Sequence, residues 1–187
     1  MKYLFLDCET TGLIPKKANW DINYLKYPYI VSLSWVLYID EDLINEQNFI
    51  VKPKGYIIPE NTIKIHKINN EIAKKDGKNI KIVLEKLRQD LKDVDFVVGF
   101  NTYFDTSVIK ANILRYNYDI KDFISKLDKN KRIDLMRLTQ KYFKKYPKLT
   151  ELYFKLFREK YNAHNSLSDV EATARCFFEL RKIGLII

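Results

Sequence analysis

The stretch Phe5-Leu6-Asp7-Cys8-Glu9-Thr10-Thr11-Gly12-Leu13 lies near the start of this 187-residue chain and decides how the rest is interpreted. Tyr3 to Cys8 is mostly apolar and predicts a buried strand, which the turn residues Thr10-Thr11-Gly12 end. Residues two apart in a strand point to the same face, so Asp7 and Glu9 lie side by side. Two such carboxylates repel each other unless a cation neutralises them, and Mg²⁺ prefers oxygen ligands of this kind. An isolated Asp-x-Glu, however, is more often a strand that ends in a polar turn.

A third carboxylate, Asp105, follows a second apolar run. Phe96 to Phe100 has the composition of a strand, and a four-residue link, Asn101 to Phe104, separates it from Asp105. This order predicts an acid close to the start of a helix, just beyond a strand end. Taken alone, such an acid is explained by its favourable interaction with the helix dipole.

The last candidate residues, His164 and Asp169, lie at the start of a helix predicted for Ser166 to Lys182. Ser166 and Asp169 have the spacing of a capping box, which is a structural explanation for this acid. A histidine beside an acid at a helix start also suits a general base next to a metal ligand. Both interpretations stay open on this segment alone.

The remaining pattern predicts an α/β protein with mixed strand directions. Three strands come first, and helices alternating with at least one more strand follow them. Besides those already named, the predicted strands are Tyr29 to Ile39 and Asn48 to Val51, and the predicted helices are Asn79 to Asp93, Asp105 to Tyr116, Asp134 to Phe143 and Lys148 to Phe157.

Taken together, these segments resemble the DEDDh family of 3′→5′ exonucleases, which includes proofreading subunits of bacterial DNA polymerases, RNase T and oligoribonuclease. The opening stretch is similar to the family's first motif. Val97 to Asp105 resembles the second, an apolar strand leading to Asn-x-x-Phe-Asp, and Ala163 to Val170 resembles the third, His-x-x-x-x-Asp. The resemblance implies a single domain over residues 1–187, with an RNase H-like mixed central sheet flanked by helices.

The resemblance also implies a role for each signature residue. His164 would be the general base that activates water, and two divalent cations, Mg²⁺ or Mn²⁺, would be bound by Asp7, Glu9, Asp105 and Asp169. Two cations about 3.5–4 Å apart can orient the attacking water and stabilise the leaving oxygen of an anionic phosphodiester. A histidine, with an ordinary pKa of about 6.5, suits proton transfer from such a water.

Contacts to the 3′-terminal nucleotide are likewise implied by matching positions, namely Thr10, Thr11, Leu13, His66 and Asn101. His66 belongs to Ile65-His66-Lys67-Ile68, which resembles the family's Ile-His-Gly-Ile element. Lys67 replaces the usual glycine, so it either adds a phosphate contact or marks a reshaped loop. The alternative for His66 is an ordinary surface histidine at a helix end. Phe100 departs from the family as well, because many relatives carry histidine there.

The chain is basic: 33 Lys and Arg against 24 Asp and Glu give a net charge of +9. Such a charge favours polyanionic partners such as nucleic acid, although compositional drift also explains it. Between Lys126 and Lys148 there are nine basic residues opposed only by Asp128 and Asp134. This stretch either follows a phosphate backbone or forms a solvated helix face.

The Pro15 to Pro28 loop leaves a similar choice open. It is longer than the minimal family version and contains two lysines, Trp20 and several tyrosines, which suit a stacking platform for single-stranded nucleic acid. The preferred interpretation for most of these aromatic residues is that they fill the core or the ordinary surface.

Cysteine use and hydropathy predict a cytoplasmic protein without a membrane partner. Cys8 and Cys176 form no CxxC pattern and lie in apolar segments, as reduced buried thiols do. The chain opens without a signal peptide, and its longest apolar stretch is too short to span a bilayer.

The predicted function is a 3′→5′ exonuclease that hydrolyses phosphodiester bonds and releases nucleoside 5′-monophosphates, in DNA repair or replication. Single-stranded DNA is the first expected substrate and short RNA the second. One alternative is a non-catalytic nucleic-acid-binding module on the same fold, whose usual mark, a missing signature residue, does not occur in this sequence. The other is a proofreading subunit that acts only with a separate DNA polymerase.

Overall fold

The computed structural model describes residues 1–118, 123, 125, 127 and 131–186. Five strands form one sheet: β1 (Lys2–Thr10), β2 (Ile30–Ile39), β3 (Asp42–Ile50), β4 (Phe96–Gly99) and β5 (Arg132–Asp134). The α-helices within this described part are α1 (Glu60–His66), α2 (Asn70–Asp76), α3 (Ile80–Asp90), α4 (Thr102–Arg115), α5 (Leu135–Thr139), α6 (Leu149–Phe157) and α7 (Ser166–Lys182).

Strand β1 lies at the centre of the sheet, whose order is β3-β2-β1-β4-β5. β2 runs antiparallel to both β1 and β3, whereas β4 runs parallel to β1 and β5. The predicted mixed α/β sheet with flanking helices is therefore confirmed. Because β1 and β4 are parallel, their carboxyl ends meet at the same edge of the sheet, which we call the site edge.

Alternation along β1 separates two apolar layers. Leu4, Leu6 and Cys8 pack on one face with residues of α3 and α4. Tyr3 and Phe5 pack on the other face with residues of α6 and α7. Since side chains two apart share a face, Asp7 and Glu9 continue the second set toward α7.

Strand β4 is short, and its end positions α4. It pairs with β1 only through Tyr3, Leu4 and Phe5. A Cβ atom at Gly99 would lie 2.8 Å from the Thr102 side chain and 3.3 Å from the Leu6 carbonyl oxygen, so glycine allows this close turn. The first turn of α4 consequently lies beside the last residues of β1.

Several predicted boundaries were wrong. β3 spans Asp42–Ile50, so the Asn48 to Val51 segment marks only its end; the exposed first half was missed because its apolar residues, Leu43 and Ile44, are adjacent rather than alternating. Asp134 ends β5 and caps the short helix α5, its carboxylate accepting from the amides of Met136 and Arg137. Two seven-residue helices, α1 and α2, were missed because they are too short for a clear periodic pattern.

The aromatic residues of the Pro15 to Pro28 loop mostly fill the core, as the preferred interpretation held. Tyr27 is buried, and Trp20 and Tyr24 pack against the α3–α4 layer. The Arg115 guanidinium donates to the carbonyls of Tyr24 and Tyr27 and holds this loop against α4.

The basic stretch is only partly described, since Lys126, Asp128 and Lys129 lie outside the described residues. Its other lysines are exposed, whereas Arg132 is half-buried and donates to the Thr106 hydroxyl at 2.6 Å. Whether this stretch contacts substrate stays a prediction.

Both cysteines are buried and free, as expected. Within the described residues, no helix has the length and apolar character needed to cross a membrane.

Candidate active site

Three carboxylates meet at the site edge. Asp7 and Glu9 extend from the end of β1, and Asp169 reaches them from the first turn of α7. Oxygen atoms of the three side chains all lie within 4.8 Å of one another, and all three residues are half-buried. The same-face placement predicted for Asp7 and Glu9 thus creates a cluster once α7 packs across the sheet.

Asp105 lies near these three carboxylates, where its charge acts on Asp7, and it contacts β1 through Cys8. It is buried, and its Oδ1 accepts hydrogen bonds from the Cys8 amide at 3.0 Å and the Cys8 thiol at 3.2 Å. Because β4 pairs with β1 only as far as Phe5, the Cys8 amide needs this partner. Both Cys8 hydrogen bonds fall on the same oxygen of this carboxylate.

Burial raises the pKa of all four acids, and the charges of neighbouring acids add to this effect for Asp7 and Glu9. Burial raises the pKa of Asp7 well above its usual range, and the charges of Asp105, Asp169 and Glu9 add to this. Burial, with the charges of Asp169 and Asp105, raises the pKa of Glu9 to about 7. Burial raises the pKa of Asp105 to about 7 against the lowering effect of the Cys8 hydrogen bonds. Burial also raises the pKa of Asp169.

This donor set suits hard divalent cations. Carboxylate oxygens are the ligands that Mg²⁺ and Mn²⁺ prefer, and a cation would relieve the repulsion that raises these pKa values. The predicted metal-binding acids are therefore brought together with suitable chemistry.

Asp169 anchors the loop that carries His164. Its Oδ2 accepts from the His164 amide at 3.0 Å, and its Oδ1 accepts from the Tyr161 hydroxyl at 2.6 Å. The His164 side chain is exposed, and its backbone adopts a left-handed conformation with φ of 68°. The position of His164 is consequently tied to that of Asp169.

The sequence analysis missed Tyr161, because no motif spacing connects it with Asp169. Its ring packs on Tyr153, with centroids 5.0 Å apart. The carboxylate of Asp169 is thus oriented by a hydroxyl on a rigid aromatic neighbour, while its remaining lone pairs can still accept a cation.

The capping-box interpretation of Asp169 was wrong. Asn165 is the N-cap of α7 and accepts from the Ser168 amide at 3.2 Å. The Ser166 hydroxyl turns instead to Ser32 and Ser34 on β2, at 3.0 and 2.7 Å. These contacts attach the start of α7 to the sheet and leave Asp169 free to face β1.

His66 and His164 line the same pocket, which has a volume of about 590 Å³ and is formed by residues 64–67 and 162–165. The His66 ring is buried, burial lowers its pKa, and Nδ1 accepts from the Ile68 amide at 3.1 Å. Nε2 therefore carries the hydrogen of the neutral ring, and it has no partner among the described residues. A substrate oxygen would satisfy this donor.

Lys67 keeps the backbone turn that a glycine would make. It ends α1 in the left-handed conformation, with φ of 64°. The departure from the family element therefore adds an exposed side chain to the pocket while the left-handed turn is retained.

The other residues expected to contact substrate surround the end of β1 and the start of α4. The Thr10 hydroxyl donates to the Gly12 carbonyl at 2.6 Å, and the Thr11 hydroxyl accepts from the Tyr29 amide at 2.9 Å. Both threonines thereby shape the turn after β1. Leu13 is 85% exposed, which is unusual for a large apolar side chain. The backbone amide of Asn101 donates to the Asp134 carboxylate at 3.0 Å.

Comparison with known proteins finds one matching family and a set of similar structures. A profile of the RNase T exonuclease family matches residues 4–177. A search of curated proteins finds no match. Among solved structures, exonuclease I of E. coli in complex with a dA16 oligonucleotide has a TM-score of 0.77 and 20% identity over 97% of this chain and 41% of that one.

Two further structures agree. Exonuclease I of Methylocaldum szegediense has a TM-score of 0.77 and 16% identity, covering 98% of this chain and 41% of that chain. The E. coli enzyme with a dT13 oligonucleotide has a TM-score of 0.75 and 20% identity, over 97% and 41%. At these identities the likeness shows the fold, which is RNase H-like as expected. The chain spans about two fifths of the length of these structures.

The raised pKa values predict how metal-free protein responds to pH. An acid whose pKa is raised by folding binds its proton more tightly in the native state, so its contribution to stability is largest below its unfolded pKa near 4. That contribution is lost as pH rises toward the folded value, which is about 7 for Glu9 and Asp105. In EDTA, wild type should therefore lose stability between about pH 4 and 7 relative to Asp7→Asn.

Urea unfolding at a series of pH values, in EDTA or in Mg²⁺, measures this effect. Excess Mg²⁺ should stabilise wild type increasingly as pH rises through the same window. If the stability difference between wild type and Asp7→Asn stayed constant across this pH window, the pKa of Asp7 would not be raised by folding.

Tyr161→Phe should weaken binding of Mn²⁺ by roughly 10–100-fold, the usual effect of removing a hydrogen bond that orients a metal ligand. The substitution keeps the ring and removes the hydroxyl that contacts Asp169. Isothermal titration of metal-free protein measures the affinity. Tyr153→Phe is the matched control, because its hydroxyl lies in the same aromatic cluster but contacts Arg175. Equal affinities in the two variants would rule out this role for Tyr161.

Proposed function

The chain belongs to the RNase T family of exonucleases, and from this premise we propose that residues 1–187 form a single metal-dependent domain that degrades nucleic acid from its 3′ end. It hydrolyses phosphodiester bonds and releases nucleoside 5′-monophosphates. The observation that carries this proposal is the convergence of Asp7, Glu9 and Asp169 within 4.8 Å, with Asp105 buried against the same strand.

The four acids hold two divalent cations, Mg²⁺ or Mn²⁺. Bound there, such ions supply a polarised water and stabilise negative charge on the leaving oxygen. Asp7, Glu9 and Asp169 offer oxygens close enough to share a cation, and Asp105 offers Oδ2, the oxygen that the Cys8 hydrogen bonds do not use. Because their pKa values are raised, the acids exchange protons for cations near neutral pH.

His164 acts as the general base. Its exposed imidazole lines the pocket with His66 and follows a backbone held by Asp169, and from there it takes the proton of the attacking water. The hydrogen bond from its backbone amide to Asp169 keeps the base close to one of the proposed metal ligands. Base and metal ligand therefore move together when the loop adjusts to substrate.

The pocket between His66 and His164 receives the 3′-terminal nucleotide. The buried Nε2–H of His66 supplies a donor for a substrate oxygen, and exposed Leu13 packs against the terminal base. Thr10, Thr11 and Asn101 form the adjoining backbone turns.

Single-stranded DNA is the first proposed substrate and short RNA the second. The E. coli exonuclease I structures contain dA16 and dT13 oligonucleotides, which supports a single-stranded substrate for this related fold. A separate polymerase partner stays a prediction.

The deciding assay uses 5′-labelled single-stranded DNA and RNA with Mg²⁺, Mn²⁺ or EDTA. Wild type should produce a metal-dependent ladder that shortens from the 3′ end. Asp7→Ala should abolish it and leave the fold intact, because the variant removes a metal ligand together with one repelling charge. Wild-type turnover in Asp7→Ala would refute the metal site. Salt-sensitive binding without cleavage by wild type would favour the non-catalytic binding module.

His164→Ala should lower kcat by roughly 10²–10⁴-fold, the range for loss of a positioned general base. Affinity for Mn²⁺ should stay close to wild type, since the amide that contacts Asp169 is retained. Lys160→Ala, an exposed change in the same loop but outside the pocket, is the control and should keep kcat. An unchanged kcat in His164→Ala across neutral pH would exclude this histidine as the base.

A further inference from the structure

A second, strongly basic pocket opens at the site edge. It has a volume of about 440 Å³ and is lined by Lys52, Lys54, Lys81 and Tyr116, together with Pro53, Asn79 and Ile80. The three lysines are exposed, and among the described residues their ammonium groups form no ion pair. We call this the lysine pocket.

The nearest acid along α3 does not neutralise the lysine pocket. Glu85, one helical turn after Lys81, is held by Arg88 at 2.7 Å. The pocket therefore keeps a concentration of positive charge.

Strand register places the lysine pocket close to the candidate active site. Glu9 pairs with Ser32 on β2, and Ser32 pairs with Ile50 on β3. Ile50 is thus level with Glu9 and two strands away, which corresponds to roughly 10 Å. Lys52 lies two residues after Ile50, and its backbone amide donates to the Lys78 carbonyl at 2.8 Å.

Helix α4 gives a second measure of the separation. It begins beside the acid cluster and runs to Tyr116, which lines the lysine pocket. From Asp105 to Tyr116 there are eleven helical steps, or roughly 16 Å at 1.5 Å per residue.

Aromatic side chains connect the two places. Tyr29, whose amide donates to Thr11, stacks on Tyr56 with ring centroids 4.1 Å apart. The Arg115 guanidinium lies 4.0 Å from the Tyr29 ring centroid, and Tyr116 follows Arg115 in the chain. Both stacked tyrosines are half-buried, so part of each ring borders solvent between the turn after β1 and the lysine pocket.

We propose that the lysine pocket binds backbone phosphates of the nucleic-acid strand on the 5′ side of the terminal nucleotide. The inference rests on the proposed function. Proteins that hold single strands combine a positively charged groove with aromatic side chains, and lysine is a common phosphate ligand. At the 3.4 Å rise per nucleotide of a stacked, helical strand, the separation of 10–16 Å corresponds to about three to five nucleotides.

This distance makes the effect of the pocket depend on substrate length. A dinucleotide occupies the active site without reaching the lysine pocket, whereas a 20-nucleotide strand reaches both. The pocket thus increases affinity for long strands and leaves hydrolysis of the shortest substrates unchanged.

The test is the triple variant Lys52→Ala, Lys54→Ala, Lys81→Ala. For a single-stranded 20-mer, its KM and its Kd in EDTA should rise by roughly 10–100-fold, because up to three phosphate contacts are lost. The slope of log affinity against log salt should become shallower by about 2. The kcat and KM for the dinucleotide pTpT should match wild type.

The matched control is Lys86→Ala, Lys92→Ala, Lys182→Ala, which removes the same charge from other positions of the chain. It should leave the Kd for the 20-mer much closer to wild type. Equal weakening by both triple variants would overturn the pocket in favour of a general charge effect. An unchanged 20-mer Kd in the first triple variant, or equal losses on pTpT and the 20-mer, would overturn it as well.

The binding arm separates this inference from the proposed function. If wild type cleaves nothing, the proposed function fails, and the Kd of the 20-mer in EDTA still decides whether the lysines hold the strand. If wild type cleaves and the first triple variant binds the 20-mer normally, only the lysine pocket is refuted.

Discussion

Repulsion among buried carboxylates is the constraint on which the rest of this structure depends. Asp7, Glu9, Asp105 and Asp169 are held close together at one end of β1, although burial raises the pKa of all four and neighbouring acids raise those of Asp7 and Glu9 further. A flexible segment would let such acids move apart. The central strand cannot, because its apolar residues are buried on both faces of the sheet. The acids are thus held in a place where a divalent cation relieves the repulsion.

Hydrogen bonds from neighbouring elements orient the acids without neutralising them. Cys8 donates to Asp105 from the strand itself, and Tyr161 and the His164 amide donate to Asp169 from the loop before α7. Because these donors are uncharged, they leave the negative charge of the cluster in place, and a cation is still needed to balance it. The same contacts link the metal ligands to the proposed base, so chemistry and loop position are coupled.

Much of the candidate active site could be predicted because its sequence patterns are local. Asp7 and Glu9 share a strand face through simple alternation, and the apolar run before Asp105 predicted an acid beyond a strand end. The mixed sheet followed from the order of apolar segments. Boundaries failed where the local pattern is weak: the exposed first half of β3 has adjacent apolar residues, Leu43 and Ile44, instead of alternating ones, and α1 and α2 are too short to show a helical period.

The sequence by itself determined the fold class and, through its resemblance to known motifs, the five candidate site residues, since alternation and motif spacing act over a few neighbouring positions. Only the tertiary structure decided that Tyr161 orients Asp169, that Asn165 rather than Ser166 caps α7, and that His66 and His164 line one pocket. The lysine pocket likewise brings together the segment after β3, the start of α3 and the end of α4. Such contacts connect residues far apart in the chain, and packing of whole elements, rather than local spacing, decides which of them meet.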